Sequence, residues 1–158
     1  MTTILSDYMI HEATMALLPA ACIDYDTIAI EKNHKRYIRK TPHQLIKTAC
    51  LEHCATYEGR REAVMHHTGF KRKVPIPINP SQNLFTFPTH SPTDFKCSWI
   101  FYHHVLTILP APASTENVSV RTTVVFHNGQ KLPLNVSHHV FEKQMERTGM
   151  CMWRFGGV

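Results

Sequence analysis

Residues 118–136 read Val-Ser-Val-Arg-Thr-Thr-Val-Val-Phe-His-Asn-Gly-Gln-Lys-Leu-Pro-Leu-Asn-Val. Val118, Val120, Thr122, Val124 and Phe126 alternate with more polar neighbours, Asn128-Gly129 interrupts, and Leu132, Leu134 and Val136 alternate again. Period-two alternation on both sides of a turn signal predicts an antiparallel hairpin with one buried face. A two-residue loop at Asn128-Gly129 would pair Val125 with Leu132 and Thr123 with Leu134, turning Arg121 and His127 onto the apolar face. A three-residue loop, His127-Asn128-Gly129, pairs Val124 with Leu132, Thr122 with Leu134 and Val120 with Val136. The second register keeps the apolar set together, with Gly129 supplying the positive φ of a bulge. Pro133 then points away from the apolar side and requires an edge strand or a bulge.

Downstream, Ser137 caps a helix expected over about 138–148, burying Val140, Phe141, Gln144, Met145 and Thr148, with Gly149 as its stop. Upstream, Trp99 to Leu109 is a long β-favouring run ended by Pro110-Ala111-Pro112-Ala113-Ser114. Aromatics in such a strand, Trp99, Phe101 and Tyr102, are expected in the core and not as a stacking platform for single strands. Pro75, Pro77, Pro80, Pro88 and Pro92 exclude helix and central strand over most of 74–92, because proline lacks a backbone donor. Phe85 and Phe87, beside Pro88, are expected to be buried.

Thr41, Pro42 and Gln44 form a capping-box start with proline in the first helical position. A helix over about 42–56 follows, with Ile46, Ala49, Cys50, His53, Cys54 and Tyr57 on one face. Gly59 would interrupt or end it; Arg60 to Val64 could continue as a second helical piece closed by Gly69. Residues 8–38 alternate imperfectly and carry turn-like Leu18-Pro19-Ala20 and Glu31-Lys32-Asn33-His34, which predicts two or three short strands. The expected fold is therefore α+β: a single domain over 1–158, an antiparallel β-sheet, two main helices and a proline-rich central segment.

A chain of 158 residues can bury roughly 70% of its unfolded surface, so neither a metal nor a disulfide is needed to hold it. Five cysteines, an odd number without a CxxC pair, no leader pattern and no apolar run of about 18 residues read as cytosolic. Cys50 and Cys54, four apart on the expected helix, could share a zinc with His53, His66, His67, His103 or His104. Helix packing explains two reduced cysteines equally simply. The doublets His66-His67, His103-His104 and His138-His139 would point to opposite faces if on strands. A Cys97 thiol with His103 or His104 as base lacks any context for an oxyanion hole or an orienting carboxylate. Nothing in the sequence calls for a catalytic centre, a cofactor or a metal.

The formal charge is +5, from 17 Lys and Arg against 12 Asp and Glu. Ten of the seventeen cations fall in three short places: Lys32, Lys35, Arg36, Arg39 and Lys40; Arg60 and Arg61; and Lys71, Arg72 and Lys73. Solvated surface runs would account for such groups, but clustering also suits a phosphate-contacting face. No helix carries a basic recognition face, and no helix-turn-helix or Cys/His finger spacing occurs. Basic residues on loops and strands suit a narrow A·T-rich minor groove, where the negative potential is enhanced.

Five stretches carry a family signal: Thr56-Tyr57-Glu58-Gly59-Arg60-Arg61, the run Pro75-Ile76-Pro77-Ile78-Asn79-Pro80-Ser81-Gln82-Asn83-Leu84-Phe85-Thr86-Phe87-Pro88-Thr89, Cys97-Ser98-Trp99-Ile100, Phe126-His127-Asn128-Gly129-Gln130 and Phe141-Glu142-Lys143-Gln144-Met145-Glu146-Arg147-Thr148. Together they closely resemble the ComK family of competence transcription factors. Weaker similarity reaches back to about Tyr8. The resemblance implies a nucleoid-associated regulator that activates competence genes by binding paired A·T-rich boxes through the minor groove, as a dimer or a dimer of dimers. Arg60, Arg61, Lys71, Arg72 and Lys73, which flank or lie inside the best-matching stretches, are the first candidates for DNA contact; Arg36, Arg39 and Lys40 come next. Longer members of the family continue into a C-terminal tail on which a proteolytic adaptor docks, so adaptor control is not expected of a chain that stops after Met152-Trp153-Arg154-Phe155. The alternative is an interaction protein that kept the fold, lost DNA binding and pairs with a full-length relative.

Overall fold

The computed structural model of the protein describes residues 2–111 and 119–157. Val118 and the end of the β-favouring run at 112–114 lie outside them. The strands are β1 (Ile4–Leu5), β2 (Ala16–Pro19), β3 (Thr27–Glu31), β4 (His34–Ile38), β5 (Ile76–Asn79), β6 (Leu84–Pro88), β7 (Trp99–Phe101), β8 (Val105–Pro110), β9 (Thr122–Phe126) and β10 (Lys131–Leu134). The helices are α1 (Pro42–Glu52), α2 (Tyr57–Thr68) and α3 (His138–Phe155). The fold is mixed α+β, with a seven-stranded sheet in the order β1-β4-β3-β2-β7-β6-β5 and a three-stranded sheet β10-β9-β8. Among the described residues every pairing is antiparallel except β1 with β4.

Successive residues on a strand face opposite sides, and here both sides of the large sheet are covered. Leu17, Ala29, Ile38, Ile76, Ile78, Trp99 and Phe101 pack with Leu45, Ile46, Ala49 and Cys50 of α1. Their neighbours Ala16, Ile30, Phe87 and Ile100 pack instead with Val105, Val124 and Phe126 of the small sheet, Phe141 of α3 and Val136 between the two. A third cluster, Val64, Val74, Phe85 and Cys151, joins α2, β6 and α3 near the β5 edge.

The hairpin takes the three-residue loop. Val124 pairs with Leu132 and Thr122 with Leu134, and Gly129 has φ 88°. Pro133 lies on β10, an edge of the small sheet. The capping box of α1 forms as expected: Gln44 N–H donates to Thr41 Oγ1 at 3.2 Å and Thr41 N–H to Gln44 Oε1 at 2.9 Å. Gly69, in the left-handed conformation, closes α2.

Several local expectations are corrected. The α1 helix stops at Glu52, short of residue 56, and Cys54 falls outside it at φ 64°. Gly59 neither interrupts nor ends a helix. It lies in the first turn of α2, its N–H donating to the N-cap Thr56 Oγ1 at 2.9 Å, where an added Cβ would also come within 2.9 Å. Gly149 does not stop α3, which runs on to Phe155; there a Cβ would stand 3.0 Å from the Tyr102 hydroxyl, so the glycine admits the ring.

Leu18-Pro19-Ala20 is not a turn, since β2 continues to Pro19 opposite Thr27. The proline-rich segment does contain an interior strand. β6 pairs on both sides and is buried throughout, because its only proline is the last residue and Pro77 sits on the edge strand β5. The run from Trp99 breaks at a 3-10 turn, Tyr102–His104, which carries the chain from the large sheet to the small one. No histidine doublet lies on a strand: His66-His67 are in α2, His103-His104 in that turn and His138-His139 in α3. Among the described residues no helix is long and apolar enough to cross a membrane.

Candidate nucleic-acid interface

Register decides which cations meet. Pro88 pairs with Trp99, Leu17 with Trp99, Pro19 with Thr27, and Thr27 with Ile38. One end of the large sheet is therefore made by the entry to β5 after Lys73, the exit from β6 at Thr89 and His90, the entry to β7 and the exit from β4 at Arg39 and Lys40. Lys32 and the start of β4 lie at the other end. β4 and β5 are five strand positions apart, roughly 24 Å at about 4.8 Å per strand.

Arg61, Lys71, Arg72 and Lys73 line one open depression of about 510 Å³ with His90, Ser91, Pro92 and Asp94. Two of the three sequence clusters are thus brought together, from α2 and from the loop between α2 and β5. Burial is the main cause that lowers the His90 pKa; Asp94 opposes it, and the charges of Lys73 and Lys96 add to it. Thr41, next to Arg39 and Lys40, lines a neighbouring depression of about 400 Å³ with Asp26, Phe95 and Trp99. The loop at 91–95 stands between the two, with Pro92 and Asp94 lining both.

The candidates differ in how free they are. Arg39, Lys71 and Arg72 are exposed, and Lys73 is half-buried at φ 49°. Lys40 Nζ is 3.2 Å from Asp7 Oδ1. The Asp7 carboxyl is held below its ordinary pKa, first by the Tyr8 backbone N–H and then by Lys40. Arg36, exposed on β4, is engaged by Glu31, its Nε donating to Oε1 at 3.4 Å. Burial raises the Glu31 pKa, but hydrogen bonds from Tyr8 and His11, with the charges of His11 and Arg36, outweigh it and keep the carboxylate ionised. Arg60 turns to the end of α1, its Nη2 donating to the His53 carbonyl at 3.2 Å.

Two residues that shape this site carry no cationic-cluster signal. Gln144 on α3, 2% exposed, donates to the carbonyls of Lys73 at 2.9 Å and Pro88 at 2.8 Å. Arg147 donates to Arg72 O at 2.8 Å and to Gln144 Oε1 at 2.6 Å, and lies 4.3 Å from the centre of the Phe70 ring. Together they fix the backbone that presents Lys71, Arg72 and Lys73. A glutamine on a buried helical face needs partners, and that was the available clue. Arg147→Ala is expected to cost about 1–2 kcal/mol of stability and to speed amide exchange at residues 70–74 selectively, as read by hydrogen-exchange mass spectrometry.

Among the described residues no group of three or more His, Cys, Asp or Glu is placed to hold a metal. Cys50 is buried and Cys54 exposed. The Cys97 thiol is pushed up to about 11, mainly by burial, and so stays protonated at neutral pH. Trp99 and Phe101 are fully buried, which makes them core.

No solved structure matches the chain significantly. The chain is 33% identical over 153 residues to the competence transcription factor of Bacillus subtilis (strain 168), covering 96% of this chain and 76% of that protein. The family model described as ComK protein matches residues 5–156. With the model spanning nearly all of its length, this chain belongs to the ComK family.

Proposed function

We propose that this chain regulates transcription of competence genes, as an activator, by binding A·T-rich promoter DNA through the minor groove. The supporting observation is that Arg39, Arg61, Lys71, Arg72 and Lys73 gather at one end of the large sheet, on a helix start, strand exits and loops. The span of roughly 24 Å between β4 and β5 corresponds to about seven base pairs of duplex. Rigid backbone with arginine and lysine at its rim suits a narrow groove whose potential attracts cations. Similarity to a competence transcription factor agrees with a transcriptional role. Paired boxes call for two copies, so the working unit is a dimer or a dimer of dimers. Arg60 and Arg36, already engaged within the protein, support the site without leading the contacts.

The groove assignment has a simple test. Replacing thymine by uracil removes the methyl group that only the major groove displays. In equilibrium titrations of a paired A·T-box duplex, affinity is expected to change less than about twofold, whereas a loss of tenfold or more would place contacts in the major groove.

A further inference from the structure

Phe95 is 63% exposed. A single exposed apolar side chain is ordinary on a protein surface; the placement and stiffness of this one are not. It sits on the loop that stands between the two depressions, lining the one it shares with Thr41 and Asp26, with Arg61 and Lys71 to Lys73 in the other.

The loop is held from its base to its tip. Thr89 N–H donates to Ser98 O, and Ser98 N–H to Thr89 Oγ1, each at 2.9 Å. Asp94 N–H donates to Ser91 O at 2.8 Å and Cys97 N–H to Asp94 O at 3.0 Å, two successive turns. Asp94 Oδ1 accepts from Lys96 N–H at 2.9 Å, which engages the one carboxylate on the loop. Phe95 occupies the first central position of the second turn, with Lys96 exposed beside it. The backbone is thus ordered before any ligand arrives, so presenting the ring costs little further entropy.

Ile23, in the loop that joins β2 to β3 at the same sheet end, is also exposed. It is followed by Asp24, whereas Phe95 is followed by the exposed Lys96, and Arg61 with Lys71 to Lys73 lines the depression on the far side of its loop, Asp26 and Asp94 sharing the nearer one. That balance of charge favours Phe95 as the apolar side chain drawn toward a polyanion.

We propose that Phe95 is a wedge that enters the stack between adjacent base pairs of bound duplex, kinking it toward the major groove. This rests on the DNA-binding reading above. Minor-groove proteins use apolar side chains in this way, offsetting the cost of unstacking with the contacts that a bent duplex permits. The flexible pyrimidine–purine steps of A·T-rich DNA, TA above all, are the cheapest to open. Phe95 then contributes specificity for such a step while the cations supply phosphate contacts.

The test uses the full chain and a paired A·T-box duplex carrying 2-aminopurine in place of adenine at successive positions. Its fluorescence rises when a neighbouring base unstacks. Saturating wild-type protein is expected to raise the signal at one step per box and to bend the duplex by roughly 20–90° in circular-permutation gels. Phe95→Ala should abolish the rise and weaken binding about tenfold, with the salt dependence unchanged; Phe95→Leu should retain the rise in part, and Ile23→Ala in full. Saturable wild-type binding without a rise at any step, or an undiminished rise with Phe95→Ala, overturns the wedge and leaves DNA binding standing. Failure of the wild-type chain to bind at all overturns both.

Discussion

Replacing Lys71, Arg72 and Lys73 together by alanine is expected to lower affinity for A·T-rich duplex about 500-fold at ~0.1 M salt. Each phosphate neutralised contributes about 0.9 to the slope of log affinity against log salt. Losing three contacts therefore flattens the slope by about 2.7, which at ~0.1 M is a factor of about 500 relative to 1 M, where the term vanishes. The fold should not change. Arg147 and Gln144 grip carbonyl groups of this loop and not its side chains, and the positive φ of Lys73 is no worse for alanine, which has the same Cβ. Fluorescence titration at four salt concentrations reads the slope, and melting temperature checks the fold. An unchanged slope would remove this loop from the interface, and a loss confined to A·T sequences would make it a base reader instead of a phosphate contact.

The second large effect is on stability. Phe85→Ala is expected to cost about 3–5 kcal/mol and to lower the melting temperature by roughly 6–20 °C for a chain of this length. Phe85 is fully buried in β6 and meets Val64 of α2, Val74 and Cys151 of α3. Removing the ring leaves a cavity where three elements converge, next to the loop that carries the cations. Phe85→Leu, which keeps most of the volume, should cost about half as much or less. Calorimetry on both variants checks this. A loss below about 1 kcal/mol for Phe85→Ala would mean that the cluster collapses freely and does not tie α2 and α3 to the sheet.

How much of this was legible in the sequence depended on what each residue had to do alone. The β9–β10 hairpin could be read to its register because one face is buried and the other solvated, so a slip by one residue would expose the whole apolar set. The caps of α1 and α3 were legible because Thr41, Gln44 and Ser137 satisfy orphan amides locally. β2, β3 and β7 gave weaker signals because they are covered on both faces, which erases alternation; Trp99-Ile100-Phe101 shows this most plainly. Gly59 and Gly149 misled because each is required by a neighbour, the Thr56 hydroxyl and the Tyr102 ring, and not by helix termination. The central prolines misled because they fall at strand ends and edges, leaving Leu84 to Phe87 free to pair on both sides.

For the site, the residue types were legible and their grouping was not. Arg60 and Arg61 are adjacent in sequence, yet one turns to the His53 carbonyl while the other lines the depression with Lys71 to Lys73. Arg39 joins the same sheet end, whereas Arg36 is spent on Glu31. Sequence separation from Lys40 to Lys71 hides a sheet end that strand register makes common to both. Gln144 and Arg147 act through backbone carbonyls 56 to 75 positions away, and no local pattern encodes such a contact.

The salt dependence of wild-type binding to a paired A·T-box duplex probes the sheet end most directly. Among the described residues, Arg39, Arg61, Lys71, Arg72 and Lys73 are the candidate cations at this end without a carboxylate within ion-pair distance, once Arg60, held by the His53 carbonyl, is set aside. Five such contacts predict a slope of about −4.5 per protomer. A slope shallower than about −1, or no complex at ~50 mM salt, would contradict the assignment of this face to DNA.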